Sequence, residues 1–133
     1  MSSVFTKIIN KELSCHLIAE DKYNIAFMDI KPIQKGHVLV VPKQEVDYLF
    51  DLNQEKYHSL WSFVQIVAKG LKQSISCKRI GVSVVGFEVP HAHIHLIPIN
   101  TISDMNFSHR FHSDNNELSQ LSIDISNNIK LNS

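Results

Sequence analysis

The residues from His91 to Ile97 constrain the fold more than any other stretch of the sequence. They read His-Ala-His-Ile-His-Leu-Ile, so three histidines alternate with apolar residues up to Pro98. Because alternate side chains of a β-strand lie on opposite faces of a sheet, the pattern predicts a strand with imidazoles on one face. Alternate residues lie about 6.6 Å apart, so the rings should form a row on the sheet surface. We expect the apolar side to pack against a helix.

Three interpretations of this histidine row are open. It is either a half-exposed strand with a polar face, a metal site, or a catalytic site that acts on phosphate. Two histidines spaced His-x-His can offer two ring nitrogens to one zinc ion. A neutral imidazole can instead attack phosphorus while neighbouring rings hold protons near neutral pH. Three histidines within five positions, backed by a continuous apolar side, argue against a merely polar surface.

Length and charge narrow the class of protein. The chain has 133 residues, which predicts one domain over 1–133, and its 13 basic residues balance 13 acidic ones. Without a run of basic residues, binding to nucleic acid is not expected. The longest wholly apolar run, Val38–Val41, is too short to span a membrane. Cys15 and Cys77 are expected to be reduced, and with no signal-peptide pattern at the N-terminus we predict a cytoplasmic location.

Hydrophobic periodicity and turn residues predict the order of the secondary-structure elements. The expected helices lie at 4–12, 54–75 and about 117–130, and the expected strands at 16–20, 24–29, 37–41, 79–85 and 91–97. This order predicts an α+β fold, in which one long helix packs on a five-stranded antiparallel sheet and short helices lie at both ends of the chain. The core should span about 5–100, with a loop and the C-terminal helix in 101–133. One sheet edge should be covered by the tail or by a second subunit.

Four ordered blocks of the sequence resemble the histidine-triad (HIT) family. They are Lys7–Glu12, Ala26–Pro32, Gly36–Lys43 and His91–Ile97. The resemblance covers about residues 5–100. It implies a HIT-like fold and a homodimer that joins two sheets. It also implies a nucleotide-binding hydrolase or transferase, acting on nucleoside phosphoramidates or (di)nucleoside polyphosphates without a cofactor.

The resemblance also implies roles for individual residues. His93 would attack the α-phosphorus and carry the nucleotidyl group, while His91, His95 and the upstream His37 would orient it and bind phosphate oxygens. Asp29 matches the acid that bonds to ribose hydroxyls. The base pocket would be formed by Ile8, Phe27 and Ile30.

Phosphate contacts are the part of the predicted site in which this chain departs from the family. Backbone N–H groups near Gly86, and an amide that aligns loosely with Ser83, are candidate donors to phosphate. Glu88 stands where a hydroxyl often meets phosphate or the leaving group. Glu88 is therefore either a surface residue or a proton donor that alters substrate choice.

Metal binding is a second departure. Many relatives hold a structural zinc with cysteines and histidines, whereas the matching residues here are Ser3, Thr6 and Glu45. We therefore predict no metal site. Two other classes stay open: a metal-dependent hydrolase that uses the histidine row, and a sensor that binds nucleotides without turnover.

Overall fold

Within residues 2–129 the chain forms one five-stranded sheet, three α-helices and two short 3₁₀ turns, in a computed structural model that describes those residues. The helices are α1 (Val4–Ile9), α2 (Gln54–Ser74) and α3 (Asn115–Asn127). The strands are β1 (Leu17–Glu20), β2 (Asn24–Met28), β3 (Val38–Pro42), β4 (Arg79–Ser83) and β5 (Ile94–Ile99). The 3₁₀ turns are Leu49–Asp51 and Ile102–Met105. No helix among the described residues is both long and apolar enough to cross a membrane.

The strands form an antiparallel sheet in the order β1-β2-β3-β5-β4. The last strand of the chain, β5, therefore lies inside the sheet, between β3 and β4. His95 of β5 is paired with Leu39 of β3 on one side and with Ser83 of β4 on the other. This architecture confirms the predicted α+β fold.

The two faces of the sheet differ in what covers them. On one face, apolar side chains of the strands pack against α2 and α3 in the larger core. Ala92, Ile94 and Leu96 belong to that core, as the alternation predicts. The opposite face carries a smaller apolar cluster around Phe5 of α1. Since His95 lies between Ile94 and Leu96 in the strand, its ring is directed to this second face.

The long helix α2 covers the larger core. It begins after Asn53, whose side chain accepts a hydrogen bond from the N–H of Lys56 and so satisfies one free donor of the first turn. Its buried residues are Leu60, Phe63, Val64, Val67, Gly70 and Leu71. Gly70 is needed for close packing, because a Cβ there would lie only 2.5 Å from a side-chain carbon of Ile129.

The start of β5 differs from the prediction. The strand begins at Ile94, so the first two histidines of the row precede it. Ile94 pairs with Val40, and two positions further in that register Ala92 would lie opposite Pro42, which has no N–H to donate. The N–H of Ala92 instead donates to the carbonyl of Val46 at 2.6 Å. The ladder therefore cannot extend to His91.

Other predicted boundaries also moved. β4 ends at Ser83, two residues early. Pro98 lies within β5 and does not end it, because pairing with β3 stops at Leu96 and the missing N–H interrupts no bond on that side. α3 begins at Asn115, two residues before the expected start, after its cap Asp114, and ends at Asn127. The predicted end of that helix at 130 lies outside the described residues.

Candidate active site

A cavity of about 420 Å³ lies on the sheet face that carries the histidines. Its walls come from α1, the end of β2, β3 and the segments on both sides of β5. Seven of the predicted site residues line it: Ile8, Phe27, Asp29, Ile30, Glu88, His93 and His95. The cavity therefore joins an apolar wall, made by α1 and β2, to a polar end that contains two histidines.

The histidine row is not an open surface, which corrects the prediction. His93 is 2% exposed, His95 1%, and His91 and His37 are fully buried. The rings are covered because Phe5 packs edge-on against the first two, with ring centroids 5.8 Å from His91 and 5.1 Å from His93. A second aromatic ring covers the other end of the row, from the segment that follows β5. Phe107 lies 4.8 Å from His95 and 6.2 Å from His37 between ring centroids.

One short contact determines the tautomer of a neutral His93 ring. Its Nδ1 lies 2.7 Å from the carbonyl oxygen of His91. Because a carbonyl oxygen can only accept, Nδ1 must carry the proton and donate it. In the neutral ring, Nε2 then keeps its lone pair. His93 thus presents the cavity with a ring whose free nitrogen is a nucleophile.

His37 and His95 form a chain of hydrogen bonds that fixes the opposite tautomer. The N–H of Ile33 donates to Nδ1 of His37 at 3.1 Å, so the proton of that neutral ring is on Nε2. Nε2 of His37 donates to Nδ1 of His95 at 2.9 Å. The proton of His95 is therefore on its own Nε2, which is buried and has no acceptor among the described residues. An unmet buried donor costs about 1–3 kcal/mol, and a ligand oxygen would satisfy it.

Burial keeps this pair of rings neutral. Burial, with a smaller contribution from the positive charge of Arg110, lowers the pKa of His37 to about 3. Burial also lowers the pKa of His95 to about 3, with smaller contributions from His37 and His93. At neutral pH both rings are therefore uncharged, and each can donate through only one nitrogen.

His91 is held by the chain and does not line the cavity. Its Nε2 donates to the carbonyl of Pro42 at 2.8 Å, and its Nδ1 accepts from the hydroxyl of Ser3 at 2.8 Å. The hydroxyl of Thr6 lies 3.4 Å from the same nitrogen and donates to Glu45 at 2.6 Å. The bonds from Ser3 N–H and from Thr6 lower the pKa of Glu45 to about 2. This network ties α1 to the residue whose carbonyl orients His93.

The same residues do not fit a structural zinc ion. The hydroxyls of Ser3 and Thr6 lie beside Nδ1 of His91, and Glu45 accepts hydrogen bonds from both residues. The resemblance places the zinc ligands at these positions, but two of the three are neutral hydroxyls rather than thiolates. Their hydrogen bonds also satisfy one another. Hydrogen bonds therefore connect α1 to His91 in this chain, where a metal ion would otherwise make that connection.

Asp29, His37 and His95 place three potential ligand atoms within 4.8 Å of one another. Two nitrogens that share a tetrahedral zinc lie about 3.3 Å apart, with both lone pairs directed at the metal. Here Nε2 of His37 and Nδ1 of His95 face each other at 2.9 Å and share a proton. The geometry favours the hydrogen-bonded chain over metal coordination.

Asp29 lies at the end of β2, at the polar end of the cavity. Its Oδ1 accepts from the N–H of Lys31 at 2.9 Å. Its Oδ2 lies 3.0 Å from a guanidinium nitrogen of Arg110 and 3.5 Å from Nε2 of His37. The carboxylate is therefore held rigidly beside the histidine chain.

The sequence analysis missed Arg110. Its guanidinium contacts Asp29, the carbonyl of Lys31 and, at 2.6 Å, Oε1 of Glu88. The residue lies beyond the four family blocks, in a stretch that reads as a loop. The only available signal was that it is one of two arginines in the chain.

Four predicted residues lie outside the cavity wall: His91 and His37, which are held by hydrogen bonds within the protein, and Ser83 and Gly86. Ser83 is opposite His95 in the sheet, at the end of β4. Gly86 follows in the loop with a φ of 84°, and a Cβ there would meet nothing within 4 Å. Glu88 and Val89 are the residues of this loop that line the cavity.

Comparison with known proteins points to one family. The family model described as HIT domain matches residues 10–102, well over half of the chain. An uncharacterized HIT-like protein of Methanocaldococcus jannaschii is 35% identical over 106 residues, covering 71% of this chain and 77% of that protein. The adenosine 5'-monophosphoramidase of Schizosaccharomyces pombe is 31% identical over 99 residues, covering 74% of each. The crystal structure of a HIT-like protein involved in cell-cycle regulation from Bartonella henselae, with an unknown ligand, matches with a TM-score of 0.85 and 28% identity, covering 96% of each chain.

Proposed function

The chain belongs to the HIT-domain family, and from that premise we propose that it is a nucleotide-binding hydrolase or transferase. The proposed substrates are nucleoside phosphoramidates or (di)nucleoside polyphosphates, cleaved at the α-phosphate. The name of the 31% identical relative, an adenosine 5'-monophosphoramidase, supports this class of substrate.

The observation that carries the proposal is the opposite tautomers of two neighbouring rings. His93 has a free Nε2 lone pair, His95 has an unmet Nε2–H, and their ring centroids lie 5.0 Å apart beside the cavity. A phosphate group needs both, because phosphorus is attacked while negative charge stays on its oxygens. One ring is thus prepared to attack and the other to donate to a phosphoryl oxygen.

The proposed reaction has two steps. Nε2 of His93 forms a bond to the α-phosphorus, and the bond to the leaving group breaks with its electron pair staying on that group, which takes up a proton from water when it leaves as an amine. The N–H of His95 stabilises a phosphoryl oxygen throughout. Water then attacks the phosphorus, the P–N bond breaks, and the free imidazole returns with release of the nucleoside monophosphate. No step requires a metal ion.

The other residues would place the nucleotide. We propose that Ile8, Phe27 and Ile30 contact the base, since they form the apolar wall, and that Asp29 bonds to ribose hydroxyls. His91 and His37 act as positioning residues, because each spends its nitrogens on bonds within the protein.

Hydrolysis of adenosine 5'-phosphoramidate by the wild type and by His93→Ala, with and without a chelator, tests the proposal. We expect the substitution to lower kcat by at least about 1000-fold, as is typical for loss of a nucleophile, and the chelator to have no effect. His112→Gln, an exposed histidine, is the matched control. Activity that survives His93→Ala contradicts the mechanism, and activity that chelation abolishes and zinc restores favours a metal-dependent hydrolase. Nucleotide binding without turnover by the wild type points to a sensor.

We also propose that the protein is a homodimer joined through β4. This strand is an edge of the sheet. Val82 lies in the strand and Val84 and Val85 follow it, and the three side chains are between 41% and 48% exposed. A shallow groove next to it is lined by Val82 and by Trp61 of α2. Light scattering after size-exclusion chromatography should show a dimer that Val82→Lys converts to monomers, whereas Ile123→Lys on α3 leaves it intact. A monomeric wild type refutes the dimer. The cytoplasmic location predicted from the sequence stays a prediction.

A further inference from the structure

Arg110 joins two opposite walls of the cavity. Nη1 donates to Oδ2 of Asp29 at 3.0 Å and to the carbonyl of Lys31, while Nη2 donates to Oε1 of Glu88 at 2.6 Å. Asp29 lies at the end of β2, and Glu88 lies in the loop before the histidine row. The side chain of Arg110 is 21% exposed.

The two ends of this bridge differ in how firmly they are held. Asp29 is buried and also accepts from the N–H of Lys31, so the Nη1 side is anchored. The Glu88 side chain is 53% exposed and makes no other hydrogen bond among the described residues. An ion pair with such an exposed partner is weak and exchanges readily. The Nη2 side of the guanidinium can therefore change its partner without loss of the anchor.

The charge of the cavity favours an anion as the new partner. Burial keeps His37 and His95 neutral, so the fixed charges that line the cavity are the cations Arg110 and Lys31 and the carboxylates Asp29 and Glu88. Once Glu88 leaves the guanidinium, the two cations face one carboxylate, and an anion restores the balance. A guanidinium presents a planar fork of donors that matches the oxygens of a phosphate. Glu88 supplies a carboxylate oxygen at the position that a phosphate oxygen would take.

We propose that Arg110 is a phosphate-binding residue of this site, and that Glu88 is an internal anion which a substrate phosphate displaces. The guanidinium stays anchored on Asp29 through Nη1 and exchanges Glu88 for a phosphate oxygen through Nη2. Glu88 thereby selects against ligands that lack an anionic group, because they cannot replace it. This inference rests on the proposed nucleotide function and adds a residue to it.

Binding of AMP and of adenosine, measured by isothermal titration calorimetry, separates the phosphate contact from the rest of the site. Arg110→Gln should weaken AMP binding by about 10- to 100-fold, the loss expected for a hydrogen bond to a charged group, and change adenosine binding little. Glu88→Gln should tighten AMP binding about two- to fivefold, because it removes a weak competing ion pair. In the Arg110→Gln background the same change should have no further effect. Arg79→Gln, the other arginine, is the control that should leave both affinities unchanged.

Four results would overturn the inference. Equal weakening of AMP and adenosine in Arg110→Gln means that the residue only positions Asp29. Weaker AMP binding in Glu88→Gln means that the carboxylate itself contacts the nucleotide. Arg110→Lys, which keeps the charge, guards against misfolding: it should recover part of the AMP affinity, and its failure to do so with an unchanged Tm counts against the proposal. A wild type that binds adenosine as tightly as AMP overturns only the phosphate contact, whereas one that binds neither refutes the proposed function.

Discussion

Lowering the pH from 7 to 5 should destabilise the folded chain, because two buried histidines cannot take up protons there. The pKa of His37 and that of His95 are lowered to about 3, mainly by burial. In the unfolded chain each would titrate near 6.5, so below that pH the unfolded state binds protons that the folded state does not. This contribution to stability is therefore fully present above pH 6.5 and is lost as the pH falls towards 3.

The size of the effect follows from linkage. Between pH 7 and pH 5 each histidine that stays neutral in the fold lowers the free energy of unfolding by about 2 kcal/mol. The pair therefore costs about 4 kcal/mol, a large part of a typical stability of about 5–15 kcal/mol. Burial also lowers the pKa of His91, which adds a contribution of the same sign. Carboxylates of ordinary pKa change their charge little in this window.

Urea unfolding at several pH values between 5 and 8, at one protein concentration, measures this loss. The double variant His37→Asn/His95→Asn should show a much smaller dependence on pH than the wild type. His112→Gln removes an exposed histidine and should keep the wild-type slope. A free energy of unfolding that is equal at pH 7 and pH 5, or ring protons of the two residues that titrate near pH 6.5 in the folded protein, would refute the reasoning.

Three further predictions concern the tautomers, the polar network and the helix packing. Nitrogen-15 NMR of the rings at neutral pH should show the proton on Nδ1 of His93 and on Nε2 of His95, and the reverse assignment would contradict the hydrogen-bond geometry. Ser3→Ala should lower the free energy of unfolding by about 1–3 kcal/mol in urea, because Nδ1 of buried His91 loses its donor, and a chelator should not change the stability of the wild type. Gly70→Ala should also lower the free energy of unfolding, because the new Cβ would lie 2.5 Å from a side-chain carbon of Ile129. The repacking this requires costs about 1–3 kcal/mol, whereas the gain in helix propensity is about 1 kcal/mol. An alanine variant that is more stable than the wild type would contradict this, because it would show that Ile129 moves aside at little cost.

The fold was predictable because its strongest signals are local. Alternation in the triad segment correctly assigned Ile94 and Leu96 to the helix-covered face, and helical spacing located α2. The start of β5 was not predictable from its own residues, because it depends on Pro42 across the sheet. The neighbouring strand thus determines how many residues of an alternating sequence pattern are paired in the sheet.

Seven of the predicted site residues line the cavity, but the tautomers of its histidines could not be predicted from the sequence. Which nitrogen of His93 is free depends on one carbonyl, and the tautomer of His95 depends on the N–H of Ile33 acting through His37. Such contacts join residues that are far apart in sequence or depend on the exact backbone path. Arg110 was missed for the same reason, since only the fold brings it to Asp29.

The covalent step is the centre of this account, and quenching of the wild type in denaturant at alkaline pH, where a P–N bond to histidine survives, during turnover of adenosine 5'-phosphoramidate tests it most directly. Mass spectrometry of the quenched protein should find one AMP group attached to the peptide that contains His93, and none in His93→Ala. Steady turnover by the wild type with no nucleotidyl group on any histidine, or the group on His95 instead, would contradict the account.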